Sequence, residues 1–195
     1  MGKKILIIDG HPDPRPERFV HALARAYREG AATAGHELLD IVVSEIDFPF
    51  LRTSEDFRAG TPPRSIRTCQ ELIMRADHLV ILFPLWLGSM PAMLKAFLEQ
   101  VLRPGFAFDE GAGGRVPKKL LTGKSARIVV TMGMPALFYK WFYRAHSLKS
   151  LERNILAFCG IRPVRTTIAG MVDGVSVAKR KALLDSMHAL GAAAR

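Results

Sequence analysis

Cysteine is scarce in this chain. There are two in 195 residues, Cys69 and Cys159, far apart and without metal-ligand spacing, and both fit helix interiors. No cluster of His, Cys, Asp and Glu stands at metal-ligand spacing, so no metal site is expected, and no Ser/His/Asp arrangement asks for explanation. Long apolar runs are missing too: none reaches the roughly 18 residues that span a bilayer, so no transmembrane segment is expected. The first residues run straight into a strand signal with no h-region or cleavage site, which argues against a signal peptide and leaves the cytoplasm by elimination. Neither a Walker loop nor a G-x-G-x-x-G fingerprint occurs, which argues against ATP and against a Rossmann NAD fold. Internal repeats, low-complexity tracts and linkers are absent, so residues 1–195 are read as one domain.

What is present reads as a globular protein, 49% hydrophobic and 24% charged. The net charge is +10. Lys and Arg are scattered rather than clustered, and no recognition motif accompanies them, which argues against nucleic acid. The charge reads either as plain solubility or, in part, as attraction for an anionic phosphorylated ligand.

The most informative stretch is 76–108. It opens with an unbroken apolar run, His78 to Phe83, as a strand buried on both faces of a parallel sheet does. Pro84 stops the run, since proline has no ladder N–H. A short turn from Leu85 to Met90 leads into a helix that Pro91 starts, with Met93, Leu94, Phe97, Leu98, Val101 and Leu102 on its inner stripe. The turn therefore lies at the carboxyl end of a buried strand, where open α/β sheets place ligands. Trp86 and its leucine neighbours suit a flat conjugated ring; equally, Trp86 caps the core.

Lys3 to Asp9 is a second buried strand, opening at Gly10 into a proline-rich loop. The helix after it starts near Pro16 or Glu17, with Phe19, Val20, Leu23, Ala24 and Tyr27 inward. Its N-terminus, beside His11, Arg15 and Arg18, reads as a phosphate site, although His11 alone would be an ordinary solvated loop histidine. Glu37 to Val43 is a strand, 44–63 a long polar surface segment, and Arg64 to Arg75 a helix. Arg103 to Phe108 reads as extended, and Asp109 to Pro117 as a glycine-rich loop whose GAGG is not a phosphate loop. Ser125 to Thr131 is a strand ending in a turn, Thr131-Met132-Gly133-Met134. The aromatic segment Leu137 to His146 either packs on the core or a subunit interface, or sends Tyr139 and His146 to the site as proton donors. Leu148 to Phe158 is a helix closed by Gly160, Ile161 to Ile168 a fifth strand, and Val175 to Ala194 a terminal helix carrying Val177, Leu183, Leu184, Met187 and Leu190 inward. Five strands alternating with helices give a three-layer α/β domain with a parallel sheet. The order 2-1-3-4-5 gathers the unusual loops at one switch point, the flavodoxin-like arrangement.

At these residues the chain resembles the flavodoxin-like NAD(P)H:quinone oxidoreductases, the family of DT-diaphorase and the bacterial modulators of drug activity. The likeness covers nearly the whole sequence. It rests on His11 followed by Phe19, on Phe83-Pro84-Leu85-Trp86 with Pro91-Ala92-Met93-Leu94-Lys95, on Gly105-Phe106-Ala107, on Thr131-Met132-Gly133, and on Phe158-Cys159-Gly160. The resemblance implies a flavin, FMN or FAD, held by His11, Arg18, Phe19, Pro84, Leu85, Trp86, Leu87, Thr131, Met132, Gly133 and Met134. It implies NAD(P)H as donor, a quinone-like acceptor, ping-pong hydride transfer, Tyr139 and His146 as catalytic groups, and a homodimer. Backbone N–H groups near Trp86, Leu87 and Gly133 would then stabilise the reduced ring. Other classes remain open: a one-electron flavodoxin carrier, or a regulatory flavoprotein subunit of a potassium efflux system.

Overall fold

The computed structural model describes residues 2–111 and 116–195. The GAGG reading falls largely on 112–115, outside the described residues. Five parallel strands form the sheet: β1 (Lys4–Asp9), β2 (Glu37–Val42), β3 (His78–Pro84), β6 (Ser125–Met132) and β7 (Val164–Gly170). Their spatial order is β2-β1-β3-β6-β7, the expected 2-1-3-4-5. A separate two-residue ladder pairs β4 (Phe108–Asp109) with β5 (Lys118–Lys119). The central register sets Ile8 against Ile81 and Leu82 against Val129, and ends with Pro84 opposite Thr131.

Successive strand residues feed opposite faces. Leu6, Ile8, Leu79, Ile81, Phe83, Ile128 and Val130 face one core layer with α3 (Arg64–Arg75) and α4 (Ala92–Val101). Ile5, Ile7, Val80, Leu82 and Val129 face the other, under α1 (Phe19–Thr33) and α8 (Val177–Ala192). Both faces are covered, so the strands read as continuous apolar runs rather than alternating ones. Helices α1 and α8 cross very closely. A Cβ on Gly30 would lie 1.9 Å from the His188 carbonyl oxygen, and one on Gly191 would lie 2.0 Å from that of Tyr27. Only glycine admits that approach. Cys69 and Cys159 are both buried in helices, as expected.

Several local readings need correction. The surface segment 44–63 contains α2 (Ser54–Ala59), started by a capping box in which Thr53 and Asp56 satisfy each other's backbone N–H. Arg103 to Phe108 is a turn and not extended: Gly105 has φ +80° and its N–H bonds the Phe108 carbonyl at 2.8 Å. Buried Arg103 holds this turn to α2 through the carbonyls of Asp56 and Gly60. Met93 and Val177 lie in the first turns of their helices and are exposed instead of inward. The aromatic segment begins with the short helix α5 (Ala136–Trp141). The helix after it is a run of three pieces, α6 (His146–Lys149), a π-helical Ser150–Leu156 and α7 (Ala157–Cys159), closed by Gly160 in the left-handed region. Among the described residues no helix is long and apolar enough to cross a membrane.

Candidate functional site

The loops leaving β1, β3, β6 and β7 meet above the carboxyl edge of the sheet. Between them lies a cavity of about 710 Å³. Its lining includes nine of the eleven residues expected at a cofactor: His11, Arg18, Phe19, Pro84, Leu85, Trp86, Thr131, Met132 and Gly133. Leu87 and Met134 instead line a neighbouring cavity of about 390 Å³, with Gly88, Tyr139, Tyr143, His146 and Ser147. Phe19, Pro84 to Leu87 and Thr131 to Met134 thus frame two adjoining spaces rather than one.

The β1 loop is built from interlocking side chains. The Asp9 carboxylate at the end of β1 accepts the His11 backbone N–H at 3.1 Å and meets His21 Nδ1 at 2.5 Å. The other ring nitrogen of His21 lies 2.9 Å from the Asp13 carbonyl. Both nitrogens thus face acceptor oxygens. His21 thereby ties the two ends of the loop to α1. His11 accepts the Asp13 N–H on Nδ1 at 3.0 Å, which leaves its proton on Nε2. Burial, reinforced by the neighbouring His21, lowers the His11 pKa, so this ring offers the cavity a hydrogen bond more than a charge. Its edge meets the Trp86 ring at a centroid distance of 6.0 Å.

Helix α1 begins at Phe19 with Arg18 as an N-cap that makes no side-chain cap, so its first N–H groups stay free of one. The Arg18 guanidinium turns instead to Asp13, at 2.6–2.7 Å. Arg15 holds the same carboxylate. Arg15, with Arg18, keeps the Asp13 carboxyl well below the usual carboxylate range. Across the cavity Arg180 of α8 lies 4.5 Å over the Phe19 ring. Asp173, in the loop after β7, sits over Gly133, where a Cβ would come within 2.8 Å of its carboxylate. The lining therefore carries three arginines (Arg15, Arg18, Arg180) and three acids (Asp13, Glu17, Asp173). The chain's positive excess is not concentrated here.

The turn after β3 is a tight two-residue hairpin. Trp86 and Ser89 exchange both backbone hydrogen bonds, at 2.8 and 2.9 Å, and Leu87 and Gly88 both have positive φ. The Trp86 N–H is thus consumed, which corrects the expectation that it serves the ring. The N–H groups of Leu87 and Gly133 have no acceptor among the described residues. Leu87 is fully exposed at φ +47°, a conformation disfavoured for a branched side chain. Tyr139 is buried, and its hydroxyl pairs with Ser147 Oγ at 2.7 Å on the wall of the second cavity. His146 opens α6 on the same wall.

The model of a family described as having a flavodoxin-like fold matches residues 3–190. The chain belongs to that family. A Haemophilus influenzae protein named uncharacterised NAD(P)H oxidoreductase is 28% identical over 184 residues, covering 92% of this chain and 90% of its own. The mouse ribosyldihydronicotinamide dehydrogenase (quinone) is 31% identical over 210 residues, covering 95% and 89%. The crystal structure of Smu.1420 from Streptococcus mutans superposes with a TM-score of 0.81 at 28% identity, covering 97% of this chain and 99% of that one. The resemblance read from the F-P-L-W and P-A-M-L-K stretches accords with this membership.

In flavodoxin the same strand order places its flavin nucleotide at the β1/β3 switch point, and the residues here fit such a group. The 710 Å³ cavity opens at that crevice, Gly133 leaves its floor without a Cβ, and the Gly133 N–H is unclaimed. Sequence reasoning missed Asp13, Glu17, Val172, Asp173 and Arg180. The signal was available in outline, since the loop after β7 leaves the same sheet edge as the others.

Proposed function

We propose that this chain, as one flavin-binding domain, is an NAD(P)H oxidoreductase that passes hydride to quinone-like acceptors. The observation that carries the reading is the pair of adjoining cavities at the switch point, one aromatic with arginines and acids in equal number, the other apolar with two tyrosines and a histidine. Bound in the first cavity, FMN or FAD supplies reversible two-electron redox chemistry. The chain's own residues then do the holding. His11 Nε2–H and the arginine pair bind the phosphate end, and Leu85, the Trp86–Ser89 hairpin and the Gly133 backbone fix the ring's plane. The unclaimed N–H groups of Leu87 and Gly133 donate to its polar edge.

The second cavity receives the nicotinamide donor and the acceptor in turn, a ping-pong order. Tyr139 Oη, fed through Ser147, delivers the proton to the acceptor's oxygen, and His146 orients that oxygen from the same wall. Leu137, Trp141 and Phe142 lie 76%, 86% and 66% exposed beside this cavity. Large apolar side chains exposed together mark an interaction surface, and we assign its cover to a second copy in a homodimer.

The test is the absorbance spectrum of the purified protein, anaerobically, before and after NADPH, with the released flavin identified by chromatography. Bleaching in one two-electron step, reversed by a quinone, supports the reductase. A bound flavin that neither NADH nor NADPH reduces overturns it in favour of a carrier or regulatory subunit. Sedimentation at micromolar concentration tests the dimer, with Trp141→Lys expected to yield monomers.

A further inference from the structure

The phosphate end of the cavity carries its own anion. Asp13 Oδ2 receives Arg15 Nε at 3.0 Å and Nη2 at 2.6 Å, together with Arg18 Nε at 2.7 Å and Nη2 at 2.6 Å. One carboxylate oxygen wedged between two guanidiniums is the arrangement a phosphate oxygen adopts at such a pair. Stability does not account for it. The side chains of Arg15 and Arg18 are 67% and 40% exposed, and ion pairs at that exposure add little to stability. Nor do the other acids of the lining behave this way. Glu17 and Asp173 form no ion pair among the described residues, and Arg180 faces the Phe19 ring. Asp13 alone closes on the cations beside the α1 N-terminus, the edge of the cavity suited to phosphate.

We propose that Asp13 is an internal counter-anion that weakens this cavity's hold on the phosphate of its ligand, and so sets the affinity for phosphorylated flavin. This rests on the reading that a flavin nucleotide binds here. With Asp13 in place the two arginines present a single net positive charge, and half of their paired N–H edges are spent. The ligand's phosphate must displace the carboxylate or bind the guanidiniums' remaining edges against its repulsion. A site so arranged holds its nucleotide through the ring and sugar more than through the phosphate, and can exchange it.

The experiment is a fluorescence titration of wild type, Asp13→Asn and Asp13→Glu with FMN and with riboflavin, at low and high NaCl. Asparagine keeps the Oδ1 acceptor that now takes the Arg15 backbone N–H at 3.1 Å, so the loop retains that contact; glutamate keeps the charge. The expected result is a gain of roughly tenfold in FMN affinity for Asp13→Asn, with riboflavin unchanged and Asp13→Glu showing no gain. The gain should shrink as salt screens it. Asp13→Asn binding FMN equally or less tightly, while riboflavin still binds, overturns the inference and makes Asp13 a positioner of the arginines. If wild type binds neither flavin, the flavin reading itself fails. Inorganic phosphate then serves as the probe: thermal protection by phosphate in Asp13→Asn exceeding that in wild type upholds Asp13 as the competing anion, and equal protection refutes it.

Discussion

Removing His21 and its partner Asp9 together should cost less than the two removals summed. The Asp9 carboxylate is 10% exposed and the His21 ring 11%. Their 2.5 Å contact is one of two hydrogen bonds the carboxylate makes among the described residues, the other being the His11 N–H at 3.1 Å. In His21→Ala the carboxylate stays near-buried with that single donor. Breaking one side of a buried pair costs about 3–5 kcal/mol, because the remaining charge is uncompensated. Asp9→Asn removes the charge and leaves a ring that can still bond the Asp13 carbonyl. The loss there is one charge-assisted bond, about 1.5–3 kcal/mol.

The double variant Asp9→Asn/His21→Ala leaves no stranded charge. It should therefore be less destabilised than the sum of the singles, by roughly 1–3 kcal/mol. Equilibrium urea unfolding at one fixed pH reads this as midpoint shifts at constant slope. With slopes of about 1–3 kcal/mol/M, His21→Ala should lower the midpoint by 1 M or more. A cycle additive within about 0.5 kcal/mol, or a His21→Ala cost below about 1 kcal/mol, would refute the claim that this pair latches the loop.

Two further outcomes follow from the packing. Gly191→Ala places a Cβ 2.0 Å from the Tyr27 carbonyl oxygen, so α1 and α8 must separate; the expected loss is about 1–3 kcal/mol, and an unshifted urea midpoint would contradict the crossing. Burial, with Lys3, Arg127 and Arg165 nearby, pulls the His78 pKa from 6.5 down to about 4. Between those pH values the unfolded chain binds a proton that the folded one refuses. Stability should therefore fall as pH drops through this window, by up to about 3 kcal/mol. His78→Gln should flatten that part of the profile, and an unchanged slope would count against it.

The sheet was legible because its strands are buried on both faces. Runs such as His78 to Phe83 cannot be amphipathic helices, and the loops that followed three of them carried residues no simple connection needs. The helix boundaries were less so. Met93 and Val177 fit the inward period by spacing, but each lies in the first turn of its helix and is exposed. Helix α2 was missed although its Thr53 and Asp56 spell a capping box; with only six residues and none buried, it leaves no apolar period to see. Tyr139 reads as one aromatic among five in sequence, and only the turn of α5 decides that it points inward while Trp141 points out.

The site was legible as far as loops are, and illegible as far as pairs are. A carboxylate at the end of β1 and a histidine twelve residues on give no sequence signal of contact, since either side chain could face solvent. Arg180 and Asp173 reach the cavity only because α8 packs across α1 and β7 neighbours β6. Charge shows the difference most plainly. A composition of +10 permits the reading that cations gather at a phosphate site, and Arg15 and Arg18 do stand there. Counting charges does not count how they are spent, however. With three acids among three arginines, attraction at the cavity is set by which pairs close, and Asp13 has closed two of them.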